Sequence, residues 1–169
     1  DKYIYTYIAD KFQGDINFDP KKIKVATLDI ECESENGFPE PKLVEEKVNA
    51  ITIKPFRHNP QTFGIGAWDE CPPNVNYHEC VDEAHLLTEF IKYWRKEKFD
   101  IITGWNVDSF DMTYLCNRVD KLFGEGEHKK FSPWNMSDVR EYRNQYGKMD
   151  MTFTLYGINI LDYLDLYRK

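Results

Sequence analysis

The chain has 169 residues, of which 41% are apolar, and it carries a formal net charge of −7 at pH 7. This length and apolar content predict one folded domain and exclude a disordered chain. No apolar run is long enough to span a lipid bilayer, so we expect no membrane partner. The negative charge argues against a stand-alone nucleic-acid-binding module, because such modules attract phosphates with clustered Lys and Arg.

The first half of the chain predicts an extended segment followed by strands. Residues 1–22 alternate aromatic, β-branched and polar side chains, which favours a strand or an extended connector. Residues 23–31 are nearly continuous in apolar character, as in a central buried strand. After a turn-rich loop, further strands are predicted at 48–53, at 61–67 and, as a short one, at 76–80.

The clearest helix comes next. Apolar side chains recur at helical spacing over 84–98, and a short strand is predicted at 99–103. Ser109 is the predicted N-cap of a second helix, and Gly124 is predicted to stop it.

The last part of the chain predicts less regular structure. Residues 125–148 are polar and are expected to be irregular. The segments 151–155 and 157–161 predict a β-hairpin, and Asp162 is a candidate cap for a following helix. Strands followed by a helix–strand–helix order indicate an α/β fold with a mixed sheet flanked by helices.

Three carboxylates are candidates for a catalytic metal site. Alternate residues of a strand point to the same face, so Asp29 and Glu31 should emerge side by side at the end of the apolar run. Asp111 lies where a strand gives way to a helix. Three converging carboxylates make an all-oxygen site, which suits Mg²⁺ or Mn²⁺ and is typical of enzymes that cut phosphodiesters with two metal ions.

Each acid also has a simpler interpretation. The Asp29–Glu31 pair alone would often be a solvated strand face, and an acid such as Asp111 in the first turn of a helix is favoured by the helix dipole. It is the two segments together, in this order, that are specific.

Cysteine and histidine offer a different metal hypothesis. Cys71, His78, Cys80 and His85 lie close enough in sequence to form a zinc site, but their spacing fits none of the common zinc patterns. Reduced thiols are therefore the preferred interpretation.

The two acidic segments resemble the first and second exonuclease motifs of family B DNA polymerases. The first is Leu28-Asp29-Ile30-Glu31, and the second is an asparagine followed after three residues by Phe-Asp, over 106–111. The resemblance is strongest to the polymerases of T-even-type bacteriophages, through the segments TGWNVDSFD, FPEP and GINILDYLDLY.

The resemblance implies a ribonuclease H-like (DnaQ-like exonuclease) fold. It covers residues 21–169 as a partial 3′→5′ exonuclease domain and makes 1–20 the tail of a preceding N-terminal domain or a connector. Asp29, Glu31 and Asp111 would be the metal ligands and the catalytic acids, holding two Mg²⁺ or Mn²⁺ ions in the complete site.

Three further residues receive substrate roles from the resemblance. Asn106 would help to position the end of the strand being cut, and Phe110 would pack the second motif onto the core. Phe38 would either stack on a base of the frayed strand or anchor its loop, and both alternatives stay open. Stacking tolerates any sequence, which suits proofreading.

The family's third motif, a tyrosine followed four residues later by an aspartate, is expected beyond the end of this chain. Tyr146 and Asp150 match that bare pattern, but they precede the predicted hairpin and are treated as a chance match. We therefore expect a C-terminally truncated domain that is a poor nuclease by itself.

The implied partners are the single-stranded 3′ end of primer–template DNA, the remaining domains of the parent polymerase and, through the parent, a sliding clamp. The implied location is the host cytoplasm. A catalytically silent, DNA-guiding module of a polymerase is the main alternative, and a stand-alone ribonuclease H-like nuclease is a second one.

Overall fold

A computed structural model describes residues 2–14, 19–34, 37–143, 147 and 149–168. Four α-helices are present in these ranges: α1 (Lys2–Lys11), α2 (Glu83–Glu97), α3 (Thr113–Phe123) and α4 (Tyr163–Tyr167). The strands are β1 (Val25–Cys32), β2 (Val48–Pro55), β3 (Gln61–Ile65), β4 (Asn76–Cys80), β5 (Ile101–Gly104), β6 (Ser137–Arg143), β7 (Met149–Leu155) and β8 (Asn159–Asp162).

A six-stranded mixed sheet with the order β4-β3-β2-β1-β5-β8 forms the centre of the molecule. The strand β2 runs antiparallel to both β1 and β3, whereas β5 is parallel to β1, and β8 is parallel to β5. The strand β4 is parallel to β3 at the other edge. This arrangement confirms the predicted α/β fold with a mixed sheet and flanking helices.

The core lies on one face of this sheet. Ala26, Leu28 and Ile30 of β1 are buried with the apolar stripes of α2 and α3, including Phe90 and Leu115. The opposite face of β1 is exposed and polar. The predicted strand over 23–31 is confirmed in the interior of the sheet, but the expectation that it is buried on both faces is wrong: α2 and α3 pack on the face of Leu28, and the acidic pair emerges on the other.

The predicted helix over 84–98 is confirmed with a shift of one residue. Asp82 caps α2, because its carboxylate accepts a hydrogen bond of 2.8 Å from the backbone N–H of His85. Glu83, at the first position of α2, is buried and forms an ion pair of 2.7 Å with Arg118 of α3. This pair joins the two helices beneath the sheet.

The prediction of an extended segment at residues 1–22 is wrong, because Lys2–Lys11 is helical. Tyr3 and Tyr7 are one helical turn apart, and their rings stack with 6.4 Å between the centroids. An aromatic pair at this spacing stabilises a helix, which a period-two interpretation overlooks.

The prediction of a hairpin between β7 and β8 is also wrong. The strand β7 pairs with β6 in a separate two-stranded sheet, and β8 instead extends the central sheet next to β5. The strand β6 is exposed along most of its length, so its sequence lacks the alternation of apolar and polar residues that would have predicted a strand. A short 3₁₀ helix, Glu127–Phe131, also lies in the stretch that was expected to be irregular.

The start of α3 differs from the prediction as well. Ser109 does not cap the helix; it lies within a π-helical turn, Asp108–Met112, that leads into α3. Its hydroxyl is 3.2 Å from the Tyr142 hydroxyl of β6. Gly124 ends α3 as predicted, with a φ of 119°. Among the described residues, no helix is both long and apolar enough to cross a lipid bilayer.

Candidate active site

The strand β1 presents the acidic pair on one face. Asp29 and Glu31 are both exposed and lie opposite Thr52 and Ala50 of β2. A bulge follows between Glu31 and Cys32. The prediction that the two carboxylates share a face is confirmed, because the pleat of a strand alternates side chains between faces.

Asp111 reaches β1 from the turn before α3. Its carboxylate accepts a hydrogen bond of 3.0 Å from the backbone N–H of Ile30. The strand β5 pairs with β1 only over Val25–Thr27, so the edge of β1 is open beyond that point. Asp111 is only 4% exposed, and it occupies this open edge beside the acidic pair.

The connection from β5 to this turn is unusually close to β1. A Cβ atom added to Gly104 would lie 2.7 Å from the carbonyl oxygen of Leu28 and 3.0 Å from Cβ of Val107. Two residues later, Asn106 has a φ of 58°, in the left-handed region that Asn tolerates better than most residues. The chain therefore turns sharply between the strand and Asp111.

These elements surround a cleft of about 540 Å³. The predicted site residues that line it are Asp29, Phe38, Asn106, Phe110 and Asp111. Glu31, although it is on the same face of β1 as Asp29, does not belong to this lining. The structure thus gathers five of the six predicted residues around one cleft.

Sequence reasoning missed three other side chains of this lining, Trp105, Leu164 and Arg168. Trp105 is 59% exposed, and its ring lies 5.7 Å from that of Tyr167 at the end of α4. Arg168 brings a cation to a cleft that is otherwise acidic. Its position depends on the parallel pairing of β8 with β5, which the predicted hairpin had excluded.

The two phenylalanines of the cleft lie against each other. The centroids of the Phe38 and Phe110 rings are 5.1 Å apart, and Phe110 in turn lies 5.8 Å from Tyr114 of α3. Phe110 packs against the hydrophobic core, as expected. Phe38 is 83% exposed, so one face of its ring is supported while the rest remains open to solvent.

Burial first, and like charges second, raise the pKa values of two carboxyls at and beside the cleft. Burial of the Asp111 carboxyl, with a further contribution from the nearby Asp29 charge, raises its pKa from 3.8 to about 7, although the hydrogen bond from Ile30 lowers it. Asp108 behaves similarly: burial, Asp162 and Asp165 raise its pKa to about 6. A divalent cation would relieve this repulsion.

The side chains of the cleft offer the type of ligand atom that such a cation binds. Asp29 and Asp111 supply carboxylate oxygens, the ligands that Mg²⁺ and Mn²⁺ prefer. Over the described ranges, no three His, Cys, Asp or Glu side chains are gathered into a ready-made metal site. Asp29 and Asp111 face the cleft together, and Glu31 would have to turn toward them.

The zinc hypothesis finds no support in the same ranges. His78 is 3.0 Å from the amide oxygen of Gln61, and its ring stacks on Phe63 with 4.4 Å between the centroids. All four cysteines are free thiols. Tyr146, the first residue of the chance match to the third motif, lies outside the described residues.

Comparisons with known proteins agree on one family. The family described as "DNA polymerase family B, exonuclease domain" matches residues 1–169. The chain is 33% identical to the DNA-directed DNA polymerase of Escherichia phage RB69, over 100% of the chain and 22% of that protein. It is 32% identical to the DNA-directed DNA polymerase of Enterobacteria phage T4, over 96% of the chain and 21% of that protein.

A solved structure shares the fold. The family B DNA polymerase of the archaeon Pyrobaculum calidifontis superimposes with a TM-score of 0.63 at 19% identity, over 92% of this chain and 17% of the other. The chain thus spans about a fifth of the length of the phage relatives that it matches.

Proposed function

Because the chain belongs to the exonuclease domains of the family B DNA polymerases, we propose that it removes nucleotides from frayed 3′ ends as a proofreading domain. The observation that carries this proposal is the hydrogen bond from Ile30 to Asp111, which holds that carboxylate beside the acidic pair of β1. The site would thus be organised by the backbone of β1 itself.

We propose that Asp29, Glu31 and Asp111 hold two Mg²⁺ or Mn²⁺ ions. When bound, these ions would stabilise the negative charge that develops on the phosphodiester as water displaces the 3′ oxygen. Asp111 suits this role, because a buried carboxylate that is fixed by a backbone N–H needs little rearrangement to act as a ligand.

The remaining residues of the cleft would handle the DNA strand. Asn106 would position the terminal nucleotide, and the exposed ring of Phe38, supported by Phe110, would stack on a base. This arrangement requires a splayed end, and fraying is less costly for a mispaired end than for a paired one. The proposed substrate is therefore a single-stranded or mismatched 3′ terminus.

We propose the primer–template DNA, the other domains of a parent polymerase and a sliding clamp as the partners, and the host cytoplasm as the place of action. The names and lengths of the phage relatives support this proposal. Both phage proteins are named DNA-directed DNA polymerases, and the chain spans about a fifth of each.

A second candidate is a catalytically silent module that only guides DNA. It is favoured by one observation: Glu31 stands outside the lining of the cleft that Asp29 and Asp111 share. In this case the acids would contribute to the surface charge and would not take part in hydrolysis.

The test uses the parent polymerase and oligonucleotides with matched or mismatched 3′ ends, with Mn²⁺ present. We expect Asp29→Ala and Asp111→Ala each to slow the removal of nucleotides at least about 100-fold. Loss of a group that only hydrogen-bonds a metal ligand already costs about 10–100-fold in activity, and loss of the ligand itself should cost no less. Glu70→Gln, an exposed residue in the loop between β3 and β4, is the matched control. No digestion by the unsubstituted parent polymerase would establish the silent module, and equal digestion by all four proteins would show that Asp29 and Asp111 do not take part in hydrolysis.

A further inference from the structure

We propose that Asp162 is a positioning residue: its carboxylate holds the backbone turn that aims Asn106 into the cleft. This inference rests on the proposed function, because it assigns a second residue to the same site. From the sequence, Asp162 is a candidate helix cap with proximity to the active site left open, and no positioning role is assigned to it.

The carboxylate of Asp162 accepts hydrogen bonds from three backbone N–H groups. Oδ1 accepts from Asn106 and from Leu164, each at 2.9 Å, and Oδ2 accepts from Asp108 at 3.2 Å. The bond to Leu164 is the cap of α4. Capping a five-residue helix uses one of these bonds, and the other two go to the turn after β5.

This turn needs such support. Asn106 has a φ of 58°, a conformation that costs free energy for a residue other than Gly. Its own N–H is one of the groups bound by Asp162, so the bond directly opposes relaxation of this backbone. Asn106 lines the cleft, whereas Asp162 stands behind the turn and does not.

The sheet keeps Asp162 in place. Asp162 is the last residue of β8 and lies opposite Gly104, the last residue of β5. The hydroxyl of Thr103 donates a hydrogen bond of 2.7 Å to the carbonyl of Leu161, which ties the two strand ends together. The carboxylate is therefore fixed on a paired strand and supports a turn that has no strand pairing of its own.

A direct role as a metal ligand fits the geometry less well. Both oxygens of Asp162 already accept hydrogen bonds from N–H groups of the protein, and binding a cation would require some of these bonds to be given up. The structure thus favours an effect through the turn.

The first test measures kcat and KM for a single-stranded oligonucleotide in the parent polymerase, with each rate divided by the polymerase rate of the same preparation. Asp162→Asn places an NH₂ group beside one of the N–H donors, so we expect kcat to fall about 10–100-fold and KM to change less than about threefold. Asp165→Asn is the matched control, since it removes the same charge from an exposed residue of α4. A fall in both variants would mean that charge, and not the hydrogen bonds, is responsible.

The second test asks whether Asp162 acts through Asn106. Asn106→Gly removes the side chain but retains a backbone suited to positive φ, so Asp162→Asn should cost less than about threefold in that background. An undiminished effect in the double variant would overturn the proposal. A rise of more than about tenfold in the Mn²⁺ concentration needed for half activity would also overturn it, since a lost ligand weakens binding by at least that much.

A third measurement does not depend on activity. The amide of Asn106 should exchange its hydrogen faster in Asp162→Asn than in Asp165→Asn, because its hydrogen bond is weakened. If the parent polymerase has no exonuclease activity, the proposed function fails while this measurement still decides the role of Asp162. Equal exchange in the two variants would overturn the inference even in an active enzyme.

Discussion

The carboxylate of Asp111 accepts a 3.0 Å hydrogen bond from the backbone N–H of Ile30, the residue between Asp29 and Glu31. Eighty-one positions separate the two partners in sequence, yet this bond sets the second acidic motif against the middle of the first. The bond exists because β5 stops pairing with β1 at Thr27 and leaves the edge of β1 open.

The first prediction concerns Asp111→Asn. The amide oxygen can still accept the hydrogen bond from Ile30, and the variant no longer buries a charge beside Asp29. We therefore expect the metal-free variant to unfold at a higher urea concentration than the original chain at pH 8, while Mn²⁺ binding is lost. Urea unfolding and calorimetric titration check the two parts; retention of Mn²⁺ binding would show that Asp111 is not a ligand.

The second prediction concerns the ion pair between Glu83 and Arg118. Both side chains are buried, and Arg118 donates two hydrogen bonds of 2.7 Å to Glu83 and one of 2.6 Å to the carbonyl of Val44. Glu83→Gln leaves the Arg118 charge without a counterion, so the free energy of unfolding should fall by about 3 kcal/mol.

Glu89→Gln is the matched control for this pair. Glu89 lies on the same helix and forms an ion pair with Lys92, but Lys92 is exposed and Glu89 is only partly buried. Loss of the ion pair in Glu89→Gln should change the free energy of unfolding by no more than about 1 kcal/mol. Equal effects of the two substitutions in urea would mean that the buried pair does not stabilise the fold.

The third prediction concerns Gly104→Ala. The new Cβ would lie 2.7 Å from the carbonyl oxygen of Leu28, and backbone cannot swing away as a flexible side chain does. We expect the turn that carries Asn106 to shift, and exonuclease activity in the parent polymerase to fall at least about tenfold. Gly126→Ala adds a Cβ with no atom within 4 Å and should affect only the stability. Full activity of Gly104→Ala would show that the close approach is dispensable.

The fourth prediction is a dependence of stability on pH. Burial and the neighbouring Asp162 and Asp165 raise the pKa of Asp108 to about 6 from an ordinary value of 3.8. Between these two values the native state holds a proton that the unfolded chain has released, so the free energy of unfolding falls as the pH rises through this window.

The substitution Asp108→Asn removes this contribution. The variant should be more stable than the original chain by about 1–2 kcal/mol at pH 7, a figure that allows for solvent screening, and the difference should vanish below about pH 4. Urea unfolding between pH 4 and pH 7.5 measures it. A constant difference across this range would contradict the assignment to Asp108.

The fifth prediction concerns thiol reactivity. Burial raises the pKa of Cys32 to about 12 and raises those of Cys80 and Cys116 as well, whereas Cys71 is half-buried in a loop. Because the thiolate is the nucleophile, iodoacetamide at pH 8 should modify Cys71 first and the others only after unfolding. Mass spectrometry of the labelled peptides reads the order, and rapid labelling of Cys32 in the native chain would contradict it.

The features that the sequence alone determined are local. The shared face of Asp29 and Glu31 follows from the two-residue period of a strand, and the bounds of α2 follow from its apolar stripe and from the Asp82 cap. The end of α3 at Gly124 is local too, because a residue with positive φ stops a helix. Each of these depends on a few neighbouring residues.

The resemblance to a known family identified the candidate residues, but it did not arrange them. The bond from Ile30 to Asp111, the bonds from the N–H groups of Asn106 and Asp108 to Asp162, and the contact of Phe38 with Phe110 each join segments distant in sequence. None of these contacts leaves a periodic signal, because each depends on which strands become neighbours.

The pairing partner of β8 is a feature that only the tertiary structure determines. By local pattern, β7 and β8 make a plausible hairpin, yet β8 lies beside β5, where Ile160 packs against the hydrophobic core, and β7 pairs with the exposed strand β6. Burial of apolar surface against the central sheet outweighs the short connection that a hairpin offers. That choice brings Asp162 to the turn of Asn106, and no short-range pattern in the sequence encodes it.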